Sequence, residues 1–185
     1  MTEPPDVPDL HTPRLTLRRI AETDAAGLHV AYGDTDTMRF WDSLPSRDVA
    51  ETAARIRQSV EASPQWHAMY AVLQRETGQF AGMVNYHLRQ PWNRRLALGW
   101  ILARPWQGQG LAAEAVGALL RHCFTALNTH RVEAHIEQDN TASQRLAARL
   151  GFRQEGLMRD WLLVAGQPRD MALYALLRPD WNPPS

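Results

Sequence analysis

The sequence predicts an α+β (mixed α/β) fold, a mixed sheet with helices on both faces. Three observations predict it. Several stretches carry the short apolar or alternating pattern of strands, and others carry the three-to-four-residue apolar repeat of helices. Strand-like and helix-like stretches are interleaved along the chain rather than gathered into separate halves. Glu76-Thr77-Gly78-Gln79 reads as a hairpin turn, and Ala165-Gly166-Gln167 separates two further strand-like runs.

Taken in order, residues 1–13 are proline-rich and read as irregular, as does the tail from Trp181 to Ser185. Leu15, Leu17 and Ile20 begin a first strand. Helical patterns follow at about 24–33 and 46–62, the second with Val49, Ala53, Ile56 and Val60 on one face. Strands are expected at 66–75 and 80–89, then a turn at Pro91-Trp92-Asn93 and a strand at 95–103. A helix over 109–127, a strand over 131–137 and a helix over 141–150 come next. Two last strands cover about 153–164 and 169–177.

Composition sets the bounds. A chain of 185 residues, 44% hydrophobic and 22% charged, fits one globular domain with a real core. The expected domain is 1–185, with its core over about 13–181. Twenty basic and twenty acidic residues cancel, so no global field favours nucleic acid or a membrane surface. The single cysteine excludes an intramolecular disulfide framework and any multi-cysteine zinc site, and no metal is expected. Cys123, among Leu119, Leu120, Phe124 and Leu127, reads as a core thiol. The opening residues lack a basic head with an apolar run, and no stretch approaches the roughly 20 apolar residues of a membrane span. The expected location is the cytoplasm.

The most informative run is Pro105 to Ala115. It follows the strand-like Leu96–Leu102 and opens an amphipathic helix, with Gly108 and Gly110 where the helix begins. Backbone N–H groups there have no partner within the helix, and the macrodipole adds roughly half a positive charge. A phosphate fits such a turn. A Walker loop needs Gly-Lys-Ser/Thr, and the chain has no lysine at all. A dinucleotide fingerprint fits poorly: Ala113 takes the third glycine position, and Glu133 lies within a strand rather than at its end.

A second block follows the strand at 131–137. Asn140 is a plausible helix cap and Gly151 a plausible stop, in the pattern Asn-x-x-Ser with Gly151-Phe152 closing the block. Together the two blocks resemble the GCN5-related N-acetyltransferases (GNAT superfamily). Arg14-Leu15-Thr16-Leu17-Arg18, Asp24-Ala25, Glu155-Gly156 and Gly166–Asp170 resemble its RimJ/RimL branch of bacterial ribosomal-protein N-terminal acetyltransferases. The resemblance spans about residues 13–181. It implies a twisted, mostly antiparallel sheet of about seven strands, and direct acetyl transfer from acetyl-CoA to an amine.

What the resemblance implies for the site is carried residue by residue. Gln107, Gly108, Gln109, Gly110, Leu111 and Ala112 would hold the pyrophosphate of coenzyme A. The strand at Trp100, Ile101 and Leu102 would offer a backbone N–H to the thioester oxygen. Asn140 would contact the pantetheine arm. Many relatives carry a tyrosine seven residues after this asparagine as proton donor to the thiolate; here the position is Ala147, and Ser143 is the substitute. Glu137 is the first candidate general base, with Asp170, His87 and His135 as others; a glutamate some relatives carry in the penultimate strand is Leu162 here. Phe40, Trp41, His87 and Asp170 are expected to line the acceptor pocket.

The expected acceptor is a protein or peptide N-terminus. An α-amine with a pKa near 8 is about one-tenth free at pH 7, so a weak or water-relayed base suffices. A small amine, an amino acid or an antibiotic is the alternative acceptor, and a coenzyme-binding module without catalysis the alternative class. Monomer and homodimer are equally compatible with the sequence.

Overall fold

The computed structural model describes residues 7–182, so expectations for residues 1–6 and 183–185 lie outside it. Eight strands form one sheet in the order β1-β2-β3-β4-β5-β6-β8-β7. The strands are β1 (Leu10–His11), β2 (Leu15–Arg19), β3 (Ala68–Gln74), β4 (Phe80–Gln90), β5 (Arg95–Leu102), β6 (Arg131–Glu137), β7 (Arg153–Val164) and β8 (Gln167–Leu177). The helices are α1 (Ala25–Tyr32), α2 (Thr35–Met38), α3 (Val49–Glu61), α4 (Leu111–Thr125) and α5 (Thr141–Arg149). All neighbours run antiparallel except β5 and β6, which are parallel. That one parallel pair requires the crossover that α4 supplies.

The eighth strand is the correction to the expected seven. Leu10 and His11 lie in the proline-rich segment read as irregular, yet they pair with Leu17 and Thr16. Two residues are too few to leave a periodic signal. The final strand begins two residues earlier than expected, at Gln167, because Ala165 and Gly166 alone make the turn in left-handed conformations (φ 49° and 77°). The helix α2 was not anticipated; Asp34 caps it by accepting from the Thr37 N–H at 2.6 Å. At the other terminus Trp181 stacks on Phe124, with ring centroids 5.0 Å apart.

The sheet separates two cores. On one face α4 lays Leu111, Ala115, Val116, Leu119, Leu120, Cys123 and Phe124 against Leu15, Tyr70, Val84, Leu96 and Val132. These positions recur at helical spacing, and burying each large side chain contributes about 1.5–3 kcal/mol. Cys123 is fully buried among them, which pushes its thiol pKa up and leaves it inert. On the other face α1 and α3 pack Leu28, Ala31, Tyr32 and Ile56 onto Met69, Ala71, Met83 and Ile101. Arg18 ties strand to helix here, with both guanidinium branches on the buried Asp24 carboxylate at 2.6 and 2.7 Å. Helices on both faces follow from strands that are apolar on both.

One close approach shapes the centre. A Cβ at Gly82 would run into the Ile101 carbonyl oxygen of the neighbouring strand and lie 2.7 Å from Leu102 Cα. Both obstacles are backbone, so β4 and β5 would have to part. Gly82→Ala is therefore expected to cost roughly 2–3 kcal/mol, in the range of strained core substitutions. Gly156→Ala, where an added methyl meets nothing within 4 Å, should be near neutral. Urea unfolding of both variants checks the contrast; equal midpoints would refute it.

Candidate active site

The site begins where the parallel pair stops. β5 and β6 pair only at Arg95–Arg131, Leu96–Val132 and Ala97–Glu133. Beyond Ala97, β5 runs on to Leu102 paired to β4 alone, and β6 runs on to Glu137 paired to β8 alone. The strands part, and the facing edges carry backbone groups that no strand takes up. Each strand then leads to a helix N-terminus on the same side of the sheet, β5 to α4 and β6 to α5.

The turn into α4 is built for an anion. Gly108 and Gly110 are both left-handed, at φ 74° and 78°, and nothing lies within 4 Å of a Cβ added at Gly108. The helical ladder opens with the Glu114 N–H on the Gly110 carbonyl at 3.2 Å, leaving the preceding amides ahead of it. The two glutamine side chains support the turn from within. Gln107 Nε2 donates to the Leu102 carbonyl at 2.8 Å, and Gln109 Nε2 to the Pro105 carbonyl at 2.7 Å. The Gln107 N–H is also taken, by the Arg104 carbonyl at 3.2 Å, so the amides left for a ligand begin at Gly108. Residues 107–110 are all exposed. This cradle fits a pyrophosphate.

Sequence reasoning missed what fixes the cradle. Arg14 Nη1 donates to the Gln109 carbonyl at 3.0 Å while its Nε meets Glu114 Oε2 at 2.6 Å. Glu114 also accepts from Thr12 Oγ1 and the Arg14 N–H. Arg14 was visible as part of the first strand, but a contact a hundred residues away leaves no local pattern.

At the start of α5, Asn140 Oδ1 accepts the Ser143 N–H at 3.1 Å, which is the capping role. Its amide nitrogen is left over for a ligand. Ser143 Oγ accepts from the Trp100 indole N–H at 3.3 Å. That bond spans the gap between the parted strands. With an acceptor site of Oγ engaged by the indole, the hydroxyl proton is available to a third group. Ala147 is fully buried against the core and offers no polar group.

The opposite face holds the titratable groups. Strand register sets three rows: His87–Ala97–Glu133, then Asn85–Gly99 with His135, then Met83–Ile101 with Glu137. Small Ala97 and Gly99 make the floor of a trough between polar walls on β4 and β6. Trp41 reaches over it, 3.7 Å from a Cβ added at Gly99. Phe40 instead lies under the Arg39 guanidinium at 5.1 Å. Burial, and then His135 and His67, lower the His87 pKa to about 4, so it stays neutral at pH 7. Its Nδ1 and the Asn85 Oδ1 are buried without a partner among the described residues.

On β6, Glu133 lies 3.5 Å from His135 Nε2 and 2.6 Å from Arg131 Nε. Those two neighbours hold its carboxyl down at about 2 against the effect of burial. Glu137 is engaged differently: Arg169 Nη1 meets its Oε2 at 3.0 Å and the Arg39 carbonyl at 2.7 Å. Glu137 is thus part of a strap from β6 across β8 to the loop after α2. Asp170 stands apart from the trough, where its Oδ1 accepts the Asp160 N–H at 2.9 Å. Leu162 faces Arg169 in the β7–β8 pairing.

Among the described residues no group of three or more His, Cys, Asp or Glu side chains is placed to hold a metal, and no helix is long and apolar enough to cross a membrane. Comparison with known proteins agrees with the geometry. Residues 14–153 match the acetyltransferase (GNAT) domain model. The chain is 32% identical over 173 residues to the uncharacterized N-acetyltransferase p20 of Bacillus licheniformis, covering 93% of this chain and 97% of that protein. It is also 32% identical over 182 residues to the ribosomal protein uS5-alanine N-acetyltransferase of Escherichia coli, covering 94% and 93%. The solved RimL ribosomal L7/L12 α-N-protein acetyltransferase with coenzyme A superposes with a TM-score of 0.81 at 22% identity, over 92% of this chain and 98% of that one. The parted strands, the glycine cradle and these likenesses converge: the chain is an N-acetyltransferase and belongs to the GNAT family, with a RimJ/RimL-like character.

Proposed function

We propose that the protein transfers acetyl from acetyl-CoA directly to the α-amino group of a protein or peptide N-terminus. One observation carries the reading. The gap between β5 and β6 is reached from the cradle side through the N-termini of α4 and α5, and from the other side through the trough of His87, His135 and Glu133. Two substrates therefore meet in the sheet from opposite faces. The similarity to an enzyme acting on an N-terminal alanine supports the acceptor class.

Acetyl-CoA supplies the acetyl group as a thioester, so one proton must leave the amine and one must reach the departing sulfur. The amides of Gly108 to Ala112 hold the pyrophosphate, and the free edge of β5 at Trp100–Leu102 offers N–H to the carbonyl oxygen. A preorganised donor there is worth about 3–4 kcal/mol at a developing oxyanion. Ser143 donates a hydrogen bond from its hydroxyl to the departing sulfur, oriented by the Trp100 indole, and takes back a proton from solvent as its own passes to the thiolate. His135, backed by Glu133, receives the amine proton. Glu137, held by Arg169 and Arg39, keeps the acceptor side closed rather than moving a proton. An N-terminal amine needs little help, whereas a lysine side chain costs about 4.6 kcal/mol to deprotonate at pH 7.

Release of free thiol from acetyl-CoA, measured over a panel of peptides and small amines, tests the reading. Peptide turnover is expected; turnover of small amines alone would overturn the acceptor class, and coenzyme binding with no turnover would overturn catalysis. Gly108→Asp places a carboxylate in the cradle and should weaken coenzyme affinity at least tenfold, read by calorimetry. Ser143→Ala should lower kcat by 10²–10⁴-fold, the range of lost acid–base groups, with coenzyme affinity nearly unchanged. For His135→Gln the sign with pH is definite. The variant depends on amine already free, so its deficit should shrink as pH rises from 7 through 9. A deficit constant over that range would remove His135 from proton transfer.

A further inference from the structure

Beside the trough, on the side away from the parted strand ends, lies a cavity of about 390 Å³ lined chiefly by Leu88, Ala97, Glu133, Met158, Trp161 and Leu173. His135 also lines it, so it opens onto the proposed proton acceptor. Its volume lies in the range of pockets that hold ligands.

Two walls of this cavity are built in the same unusual way. On β4 the register slips between His87–Ala97 and Gln90–Arg95, and Leu88 sits in that slip with φ 50°. On β7 the register slips between Met158–Met171 and Leu162–Arg169, and Asp160 sits there with φ 50°. Left-handed backbone is an outlier for leucine. Both slips have the same result. Leu88 is left 58% exposed at one wall and Trp161 52% exposed at the other. Asp170, the residue opposite the β7 slip, accepts the Asp160 N–H and so fixes where Trp161 stands. Trp161 in turn meets the His135 ring edge to face, with centroids 5.3 Å apart. The apolar wall therefore touches the proposed proton acceptor.

Two polar groups of the cavity, the Glu133 carboxylate and the Arg95 Nε, are already engaged by neighbours. Glu133 is taken by Arg131 and His135, and the Arg95 Nε donates to Gln90 Oε1 at 2.9 Å. The surface open to a ligand is mainly that of leucine, methionine, alanine and tryptophan, with Gln90 and Arg95 at its edge. We propose that this cavity is the acceptor-recognition pocket, taking an apolar side chain carried at the amine-bearing end of the acceptor, with Asp170 as the positioning residue that sets its Trp161 wall. The assignment rests on the reading of the acceptor as a peptide N-terminus.

The test compares kcat/KM for peptides that differ only in their first two side chains, with leucine, methionine, glycine or aspartate at each. The wild type is expected to favour an apolar side chain at one of these positions by roughly 10- to 100-fold over glycine or aspartate, the scale a hydrophobic pocket delivers. Trp161→Ala should remove most of that preference while coenzyme A affinity stays within twofold. Asp170→Ala should also reduce it, whereas Asp170→Asn, which keeps an oxygen acceptor for the Asp160 N–H, should restore it. Melting temperatures of all three variants near wild type separate positioning from unfolding. Peptides acetylated without regard to these side chains, or a preference unchanged in Trp161→Ala, would overturn the pocket and leave the peptide reading standing. Turnover of small amines with no peptide accepted would overturn both.

Discussion

The parting of β5 from β6 after Ala97 and Glu133 is the constraint on which the rest of the molecule depends. A continuous sheet satisfies its own backbone groups and offers nothing to a ligand. Here two strands at the centre leave facing edges open, and β5 then enters a helix whose first amides are also unpaired, while β6 enters one capped by Asn140. Orphan donors are thus concentrated at one place, near two helix dipoles, and an acyl donor with a phosphate tail is the kind of ligand that takes them up. The gap must be held open against the tendency of strands to zip. The Trp100–Ser143 bond crosses it on one face and the Glu137–Arg169–Arg39 strap flanks it on the other.

The sheet also divides the chemistry by face. On the α4 and α5 side the polar groups at the gap are backbone amides, one capping asparagine and one hydroxyl. On the other side they are imidazoles and carboxylates. Gly99 and Ala97 make this division work, because any larger side chain would fill the trough; an added methyl at Gly99 already meets the Asn85 Oδ1 at 2.5 Å. A neutral His87 beside a His135 in contact with Glu133 gives two imidazoles in unlike surroundings along one wall. Such unlike pairs are how one fold places proton acceptors without changing its scaffold.

Much of this was legible in the sequence, and the reason is physical. The glycine turn, the asparagine cap and the periodic faces of α3 and α4 are local signals, carried by residues a few positions apart. They located the two helix N-termini that the fold brings to the parted strands, and most strand and helix boundaries. The register slips at Leu88 and Asp160, the two-residue β1 and the short α2 were not legible, since each depends on what lies across the sheet or in the next loop. Glu137 shows the limit most plainly. Its position beside the coenzyme segment suggested a base, but its neighbour is Arg169, 32 positions away, and only the β6–β8 pairing brings them together.

Arginine's exclusive use in this chain then has a structural consequence, whatever its origin. Three of the connections are forks, Arg14 on both Gln109 and Glu114, Arg18 on both Asp24 oxygens and Arg131 on Glu133 and Glu155, while Arg169 joins Glu137 and the Arg39 carbonyl through its Nη1 alone. A lysine ammonium carries its donors on a single nitrogen and cannot span two fixed acceptors in plane. Arg14, Arg131 and Arg169 each join segments distant in sequence, and Arg14 braces the glycine turn directly. Where such a pair is exposed it contributes little to global stability, about 0–1 kcal/mol. Their contribution is geometric: they fix the glycine turn and the strap so that the open edges between β5 and β6 meet a ligand already in place.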